Sequence, residues 1–335
     1  MSECHLLKNL PSGIRKLKSL EYLNLSKCYS LDKLPELPKS IVKLSLKQIE
    51  IERLQSSSIE NLSCLEKLNL RVCTRLSSLP PNIWKLKSLK HLELSSCWKL
   101  EILPEILEPM EHLEVLSLSR SGIRKLPSGI ENLIGLQKLE MWKCSDLEIL
   151  PPGISELSRL REINLSRCSK LERLPPLTAS LRSLTDLNLS HCNLSEIPNG
   201  IGFLVSLEKL VLSRNAFERV PERIKQLCKL VVFEVCNCKN LKSLPELPLS
   251  LEFLDASGCM NLEIIYDSRA VLTQGWWDNY NSSKGMEFFF YYDCLKLDKN
   301  TCNSIVSEFQ IRSLHTAIIS ASKQVELKVC FFLLF

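Results

Sequence analysis

Five histidines (His5, His91, His112, His191 and His315) and fifteen cysteines are the side chains of this 335-residue chain best suited to metal binding or nucleophilic catalysis. A zinc site needs about four converging nitrogen or sulfur ligands, usually announced by His-Glu-x-x-His or by two Cys-x-x-Cys pairs. Neither pattern occurs. Glu111-His112 stands alone, and the nearest thiol pair, Cys236-x-Cys238, has no second pair and no histidine beside it. The frames that hold an activated serine or cradle phosphates, Gly-x-Ser-x-Gly, Gly-x-Gly-x-x-Gly and Gly-x-x-x-x-Gly-Lys-Ser/Thr, are missing as well. No catalytic group, cofactor or metal ion is expected, so the chain does not read as an enzyme.

The bulk numbers narrow the remaining classes. The 43 basic and 38 acidic residues nearly cancel, leaving +5, too small an excess to argue for a nucleic-acid partner. No apolar segment follows Met1 that would serve as a secretory signal, and no uninterrupted apolar run reaches the ~18 residues of a membrane span. The apolar stretch Val329–Phe335 is far too short to cross a bilayer. Reduced thiols in the cytoplasm, with the nucleus as second compartment, are therefore the expected state.

The cysteines themselves point to the elements that must position everything else. Nine of them, Cys4, Cys28, Cys73, Cys97, Cys144, Cys168, Cys192, Cys238 and Cys259, share one slot of a recurring pattern, Leu-x-x-Leu-x-Leu-x-x-Cys. Eleven copies start at Leu20, Ile41, Leu65, Leu89, Leu113, Leu136, Leu160, Leu184, Leu207, Leu230 and Leu251, at intervals of 21 to 24 residues. A second register agrees: prolines recur at Pro11, Pro35, Pro80, Pro104, Pro127, Pro151, Pro175, Pro198, Pro221 and Pro245, with Gln55 near the one vacant place. Intervals of 23 keep the strand and lose one residue between the cysteine slot and the proline, as from Cys192 to Pro198.

This period with this core is that of leucine-rich repeats. The expected fold is an α/β solenoid, a horseshoe with a concave parallel sheet and a convex side of irregular, 3-10 and short helical turns, over residues 1–262. In Leu-x-x-Leu-x-Leu the leucines point inward and the x residues outward, and eleven paired strands span roughly 50 Å. The return segment Pro-x-x-Ile-x-x-Leu supplies a second apolar set, such as Ile83 and Leu86, and each coil buries its apolar face only by stacking on its neighbours. The slot cysteines read as small buried hydrophobes whose S–H groups cap loop carbonyls. The chain is expected to begin inside a repeat, because Cys4 and Pro11 have no strand before them.

Outward positions form columns along the solenoid. The column just before the cysteine slot carries Arg120, Lys143, Arg167, His191 and Arg214, a basic stripe; a neighbouring column holds Glu93, Glu140, Glu234 and Asp255. A third, rich in serine, holds one tryptophan, Trp142. Charges of this kind commonly do no more than solvate a sheet. A tryptophan among serines, however, is a candidate anchor for a protein partner, so Glu93, Arg120, Glu140, Trp142, Lys143, Arg167, His191 and Arg214 are the expected protein-binding residues. Asn-x-Ser triplets at Asn24, Asn164 and Asn188 arise from the strand pattern and carry little weight as glycosylation signals.

Past Leu262 the leucine spacing stops and aromatics gather (Trp276, Trp277, Tyr280, Phe288). Residues 263–335 are expected to form a small β-rich segment, with a strand at Phe288–Tyr292, a helix at Ser304–Ser320 and a strand at Val325–Phe335.

The repeat, with its short Leu-Pro-Glu-Leu-Pro copies at 34–38 and 244–248, resembles the leucine-rich repeats of plant TIR-NBS-LRR disease-resistance proteins over residues 4–262. The run from Phe290 through Cys294 to Asp298 resembles the Phe-x-Asn-Cys-x-Lys-Leu-Asp opening of that family's post-repeat β-sandwich, whose later Pro-x-Trp-Phe stretch is missing, so a truncated sandwich is expected. The family's nucleotide-binding and TIR modules have no counterpart in this sequence, and their activities are not carried over. The resemblance implies a recognition module of an intracellular immune receptor. Its partner would be a protein, either a pathogen effector or the nucleotide-binding domain of a receptor, with no nucleic acid and no membrane involved. A stand-alone scaffold regulating a full-length relative, and a non-functional truncated gene product, are the alternatives.

Overall fold

The computed structural model describes residues 2–266, 288–291 and 293–301. Its main sheet is built from very short strands: β1 (Tyr22–Asn24), β2 (Lys43–Ser45), β3 (Lys67–Asn69), β4 (His91–Glu93), β5 (Val115–Ser117), β6 (Lys138–Glu140), β7 (Glu162–Asn164), β8 (Asp186–Asn188), β9 (Lys209–Val211) and β10 (Val232–Glu234). A side pair, β11 (Ser243–Leu244) and β13 (Ile264–Ile265), brackets β12 (Phe253–Asp255), and β14 is Phe288–Phe290. The main sheet is parallel and runs in chain order, with β12 and β14 following β10. Strands such as β3 and β7 are the three central residues of their repeats, with one buried Leu or Ile pointing inward between two residues on the opposite face. The inward residues lie in register: Leu44 pairs with Leu23 and Leu68, and Phe233 with Leu210 and Leu254. The variable repeat length is thus absorbed off the sheet.

Each chain leaves the sheet by a tight turn whose third residue has a left-handed backbone. Lys27, Gln48, Val72, Ser96, Arg120, Lys143, Arg167, His191, Arg214 and Asn237 all lie at φ between 58° and 64°, and Gly258 at 71°. Two main-chain bonds impose this. The slot residue's N–H returns to the carbonyl three residues back (Cys73 N to Leu70 O, 3.2 Å), closing a turn that demands positive φ at its third position. The left-handed residue's own N–H is then aimed at the next coil, Val72 N to Ser95 O at 2.8 Å and Arg167 N to Ser190 O at 2.7 Å. The sheet ladder therefore extends beyond the strands. A β-branched residue tolerates positive φ worst, at a cost of order 1 kcal/mol or more. Val72→Asn, which installs the residue already present at Asn237, is expected to raise unfolding free energy by about 1 kcal/mol, seen as a higher urea midpoint with an unchanged slope.

The slot thiols complete the coil-to-coil bonding. Cys73, Cys97, Cys144, Cys168 and Cys192 donate to the carbonyls of Leu46, Leu70, Leu118, Met141 and Leu165, all at 3.1–3.2 Å. Burial pushes the Cys73 thiol up to about 11 and Cys192 to about 12, so both keep the proton they donate at neutral pH.

On the convex side the prolines do what their fixed φ suits them for. Pro11, Pro80, Pro151, Pro198 and Pro221, at φ from −61° to −73°, cap five-residue 3-10 turns whose isoleucines (Ile14, Ile83, Ile154, Ile201, Ile224) are buried. Gln55, the residue in the vacant proline place, caps the short helix α1 (Ser56–Ile59) with the same extended backbone.

The sheet continues past the division expected at Leu262. β14 pairs in parallel with β12, Leu254 opposite Phe289. Asp293 is left-handed at φ 59° and Cys294 donates to Ala256 O at 3.2 Å, repeating the turn-and-thiol unit of the preceding coils. Asp298 then accepts the N–H of Thr301 at 2.7 Å, as an N-cap does where a helical turn begins at residue 299. The run that resembles a sandwich opening thus lies on the solenoid sheet. Aromatics in the leucine places and a step of 35 residues from Leu254 to Phe289 hid it from the repeat pattern. Trp276, Trp277, Tyr280, Tyr292, the Ser304–Ser320 helix and Val325–Phe335 lie outside the described residues.

Candidate protein-binding face

The concave floor is made of the residues that flank each inward leucine. At its centre Lys138, Glu162, Asp186 and Lys209 line one side of the strands, and Glu140, Asn164, Asn188 and Val211 the other, around a shallow hollow. Many of these charges are already paired: Lys138 reaches Glu162 at 2.8 Å and Glu140 at 3.1 Å, and Lys209 lies 3.9 Å from Glu234. Glu140 also accepts from Ser117 Oγ at 3.2 Å, and Glu93 accepts the Ser95 N–H at 2.9 Å. Asn24, Asn164 and Asn188 each accept both the N–H and the hydroxyl of the serine two residues on, at 2.6–3.0 Å. Those Asn-x-Ser triplets serve as turn locks.

The basic stripe requires a correction. Arg120, Lys143, Arg167, His191 and Arg214 were expected on outward strand positions; they stand instead in the left-handed turns just past the strands, at φ 58–64°. They form a ridge bordering the floor. Arg120, Lys143, Arg167 and Arg214 are exposed and His191 is half-buried. Burial, then the neighbouring guanidiniums of Arg214 and Arg167, push the His191 pKa below its ordinary value, which favours the neutral ring.

Trp142 joins ridge and floor. It is half-buried, and the Arg120 guanidinium lies 4.5 Å from the centre of its ring. The Arg120 N–H also donates to Trp142 O at 2.9 Å, so backbone and side chain bring the same two residues together. Ser119, which precedes Trp142 by one coil in the serine column, is buried with an Oγ that has no partner among the described residues. The eight expected residues therefore fall into three groups: Glu93 and Glu140 on the floor, Trp142 with Arg120 at the junction, and Lys143, Arg167, His191 and Arg214 along the ridge. Sequence reasoning missed Lys138, Glu162, Asp186 and Lys209. They occupy the residue before each inward leucine, a column that the same period would have exposed.

Cys236 and Cys238 point to different partners, Ser213 Oγ at 3.2 Å and the buried Leu212 O at 3.3 Å. Among the described residues no cluster of three or more His, Cys, Asp or Glu side chains is arranged to hold a metal ion, and no helix is long and apolar enough to cross a membrane.

Comparison with known proteins places this face in context. The family model described as leucine-rich repeats of RPS4B-like disease resistance proteins matches residues 85–276. The probable disease resistance protein At4g19520 of Arabidopsis thaliana is 36% identical over 289 residues, covering 79% of this chain and 16% of the relative. TMV resistance protein N of Nicotiana glutinosa is 36% identical over 276 residues, covering 79% of this chain and 22% of the relative. The chain thus spans only about a fifth of the length of these relatives. Among solved structures, a leucine-rich-repeat protein of Leptospira interrogans aligns with a TM-score of 0.56 at 23% identity, over 89% of this chain and 90% of that one. A chain of the glycosylated Toll–Spatzle complex of Drosophila aligns with a TM-score of 0.61 at 20% identity, over 78% of this chain and 41% of that one. Those structures share the fold. With the repeat, the sheet and the family match in agreement, this chain belongs to the leucine-rich repeats of the RPS4B-like disease resistance proteins, the repeat region of the plant TIR-NBS-LRR class.

Proposed function

We propose that this chain is the protein-recognition surface of a plant intracellular immune receptor and that its concave floor and bordering ridge dock another protein in the cytoplasm. The partner is a pathogen effector or the nucleotide-binding domain of the receptor, the second contact holding the receptor inactive. The observation that carries the reading is Trp142, an aromatic among the serines of its column in the described residues, held under Arg120 beside a row of exposed cations. Tryptophan and arginine are the residues most enriched at binding hot spots. The chemistry of the face supports binding, and no nucleophile–base pair stands on it among the described residues. A protein of this fold is also found in the Toll–Spatzle complex.

The test is affinity capture from plant extract with the intact chain, followed by identification and titration of what is recovered. The expected partner is an effector or a nucleotide-binding receptor domain. Trp142→Ala should weaken that complex by about 2 kcal/mol, roughly thirtyfold, while thermal unfolding of the free chain shifts little. Unchanged affinity removes Trp142 from the interface. Recovery of neither class of partner overturns the reading.

A further inference from the structure

Four of the convex turns share the outline Pro-x-Gly-Ile: Pro11-Ser12-Gly13-Ile14, Pro127-Ser128-Gly129-Ile130, Pro151-Pro152-Gly153-Ile154 and Pro198-Asn199-Gly200-Ile201. The isoleucine is buried in each. Packing dictates the glycine in two of them. A Cβ at Gly129 would stand 2.3 Å from Ile106 O, and one at Gly200 would stand 2.4 Å from Leu177 O. The residue before the glycine is exposed in all four turns. The turn accepts serine, proline or asparagine there, but only asparagine brings chemistry with it.

Asn199-Gly200 is the one Asn-Gly pair in the sequence. The amide carbon of an asparagine side chain is open to attack by the main-chain nitrogen of the next residue, which closes a five-membered imide. A bulky following side chain shields that nitrogen, and glycine has none. Other asparagines of this chain are protected on both counts. Asn24, Asn164 and Asn188 precede leucine, and each is held in a turn lock by the serine two residues on. Asn199 is exposed, and its amide makes no hydrogen bond among the described residues. The Gly200 N–H, in the first turn of the 3-10 segment Asn199–Phe203, has no main-chain acceptor. Electrophile, nucleophile and access therefore coincide at this dipeptide.

We propose that Asn199 is a site of spontaneous deamidation that loosens the convex turn of its coil. The Gly200 nitrogen bonds to Asn199 Cγ, the Cγ–Nδ2 bond breaks, and ammonia leaves with the Gly200 proton. Water then opens the imide at either carbonyl. Opening at the main-chain carbonyl gives isoaspartate, and opening at the side-chain carbonyl gives aspartate. Nothing is oxidised or reduced, and water is the only co-reactant. In isoaspartate the main chain runs through the former side chain, one carbon longer between Pro198 and Gly200. Gly200 is then displaced from its seat against Leu177 O. Ile201, buried and held by its N–H to Pro198 O at 3.0 Å, loses that anchor. Either product also sets a carboxylate at the place that Glu222 holds in the next coil, and the two repel.

The full chain, aged in warm, mildly alkaline heavy-oxygen water and digested in acid, tests this by peptide mass spectrometry. Isoaspartate is read by methyl transfer from labelled S-adenosylmethionine with a protein isoaspartyl methyltransferase. The Asn199 peptide is expected to turn acidic at least tenfold faster than those of Asn164 and Asn188, taking up one heavy oxygen and the methyl label. Asn199→Ser, which installs the residue already present at Ser12 and Ser128, should fold as the parent does and carry no label on that peptide. Aged parent chain should unfold at lower urea than aged Asn199→Ser. Equal rates at the three asparagines, or reaction at Asn199 only after unfolding in urea, overturns the site. Equal urea midpoints once Asn199 has reacted overturn the loosening.

Discussion

Asn215→Ala is expected to lower the unfolding free energy by about 3–4 kcal/mol, one of the largest single effects available outside the leucine columns. Asn215 stands in the thiol slot but makes four bonds where a cysteine makes one. Its Nδ2 donates to Leu189 O at 2.9 Å and Leu212 O at 2.8 Å, and its Oδ1 accepts the N–H groups of Asn193 at 3.1 Å and Leu194 at 2.9 Å. The side chain is buried, so alanine admits no water to replace them. Each buried group left without a partner costs about 1–3 kcal/mol. Asn215→Cys should recover part of the loss, since a thiol can donate toward Leu189 O as Cys192 does toward Leu165 O, but it cannot accept the two N–H groups equally well. Urea unfolding followed by circular dichroism measures both. A loss below about 1 kcal/mol for alanine would mean that the four contacts do not act together.

The second large effect is in the core. Phe233 is fully buried at the centre of β10, packed in register between Leu210 and Leu254. Phe233→Ala removes a ring that no neighbour can replace and is expected to cost about 3–5 kcal/mol. Its reach should be limited, because each coil touches only the coils beside it. Hydrogen exchange should accelerate at β9, β10 and β12 and remain close to wild type at β5 and β6. Binding at Trp142 should persist under conditions where the far coils still stand. Uniform acceleration along the whole chain would show instead that the solenoid unfolds as one unit.

The two variants mark what the sequence made legible and what it hid. The inward columns were plain, because burial on a strand repeats at fixed offsets and leucine has few other uses at that spacing. The proline register foretold the convex turns, and Gln55 the place where the rule bends. The left-handed turns were not foretold. Positive φ is usually signalled by glycine or asparagine, but here lysine, valine, serine, arginine and histidine occupy it, compelled by main-chain bonds to the next coil that no residue type announces. The basic residues were therefore found correctly by column and misplaced by one element. The stacking of Arg120 on Trp142 was hidden for a related reason: it joins neighbouring columns of successive coils diagonally, and only the turn geometry aims one at the other. The coil at Phe288 escaped because aromatics stand in its leucine places.

The ladder bond from each turn residue to the following coil uses only backbone atoms: Gln48 N to Arg71 O, Ser96 N to Ser119 O, Arg214 N to Cys236 O. The ladder bond is consequently kept whatever side chain projects from each rung, and a poorly suited residue there costs only on the order of 1 kcal/mol. Such a surface can be rewritten one letter at a time, from hydroxyl to cation to amide, without the frame refolding, and new specificities become accessible by substitution alone.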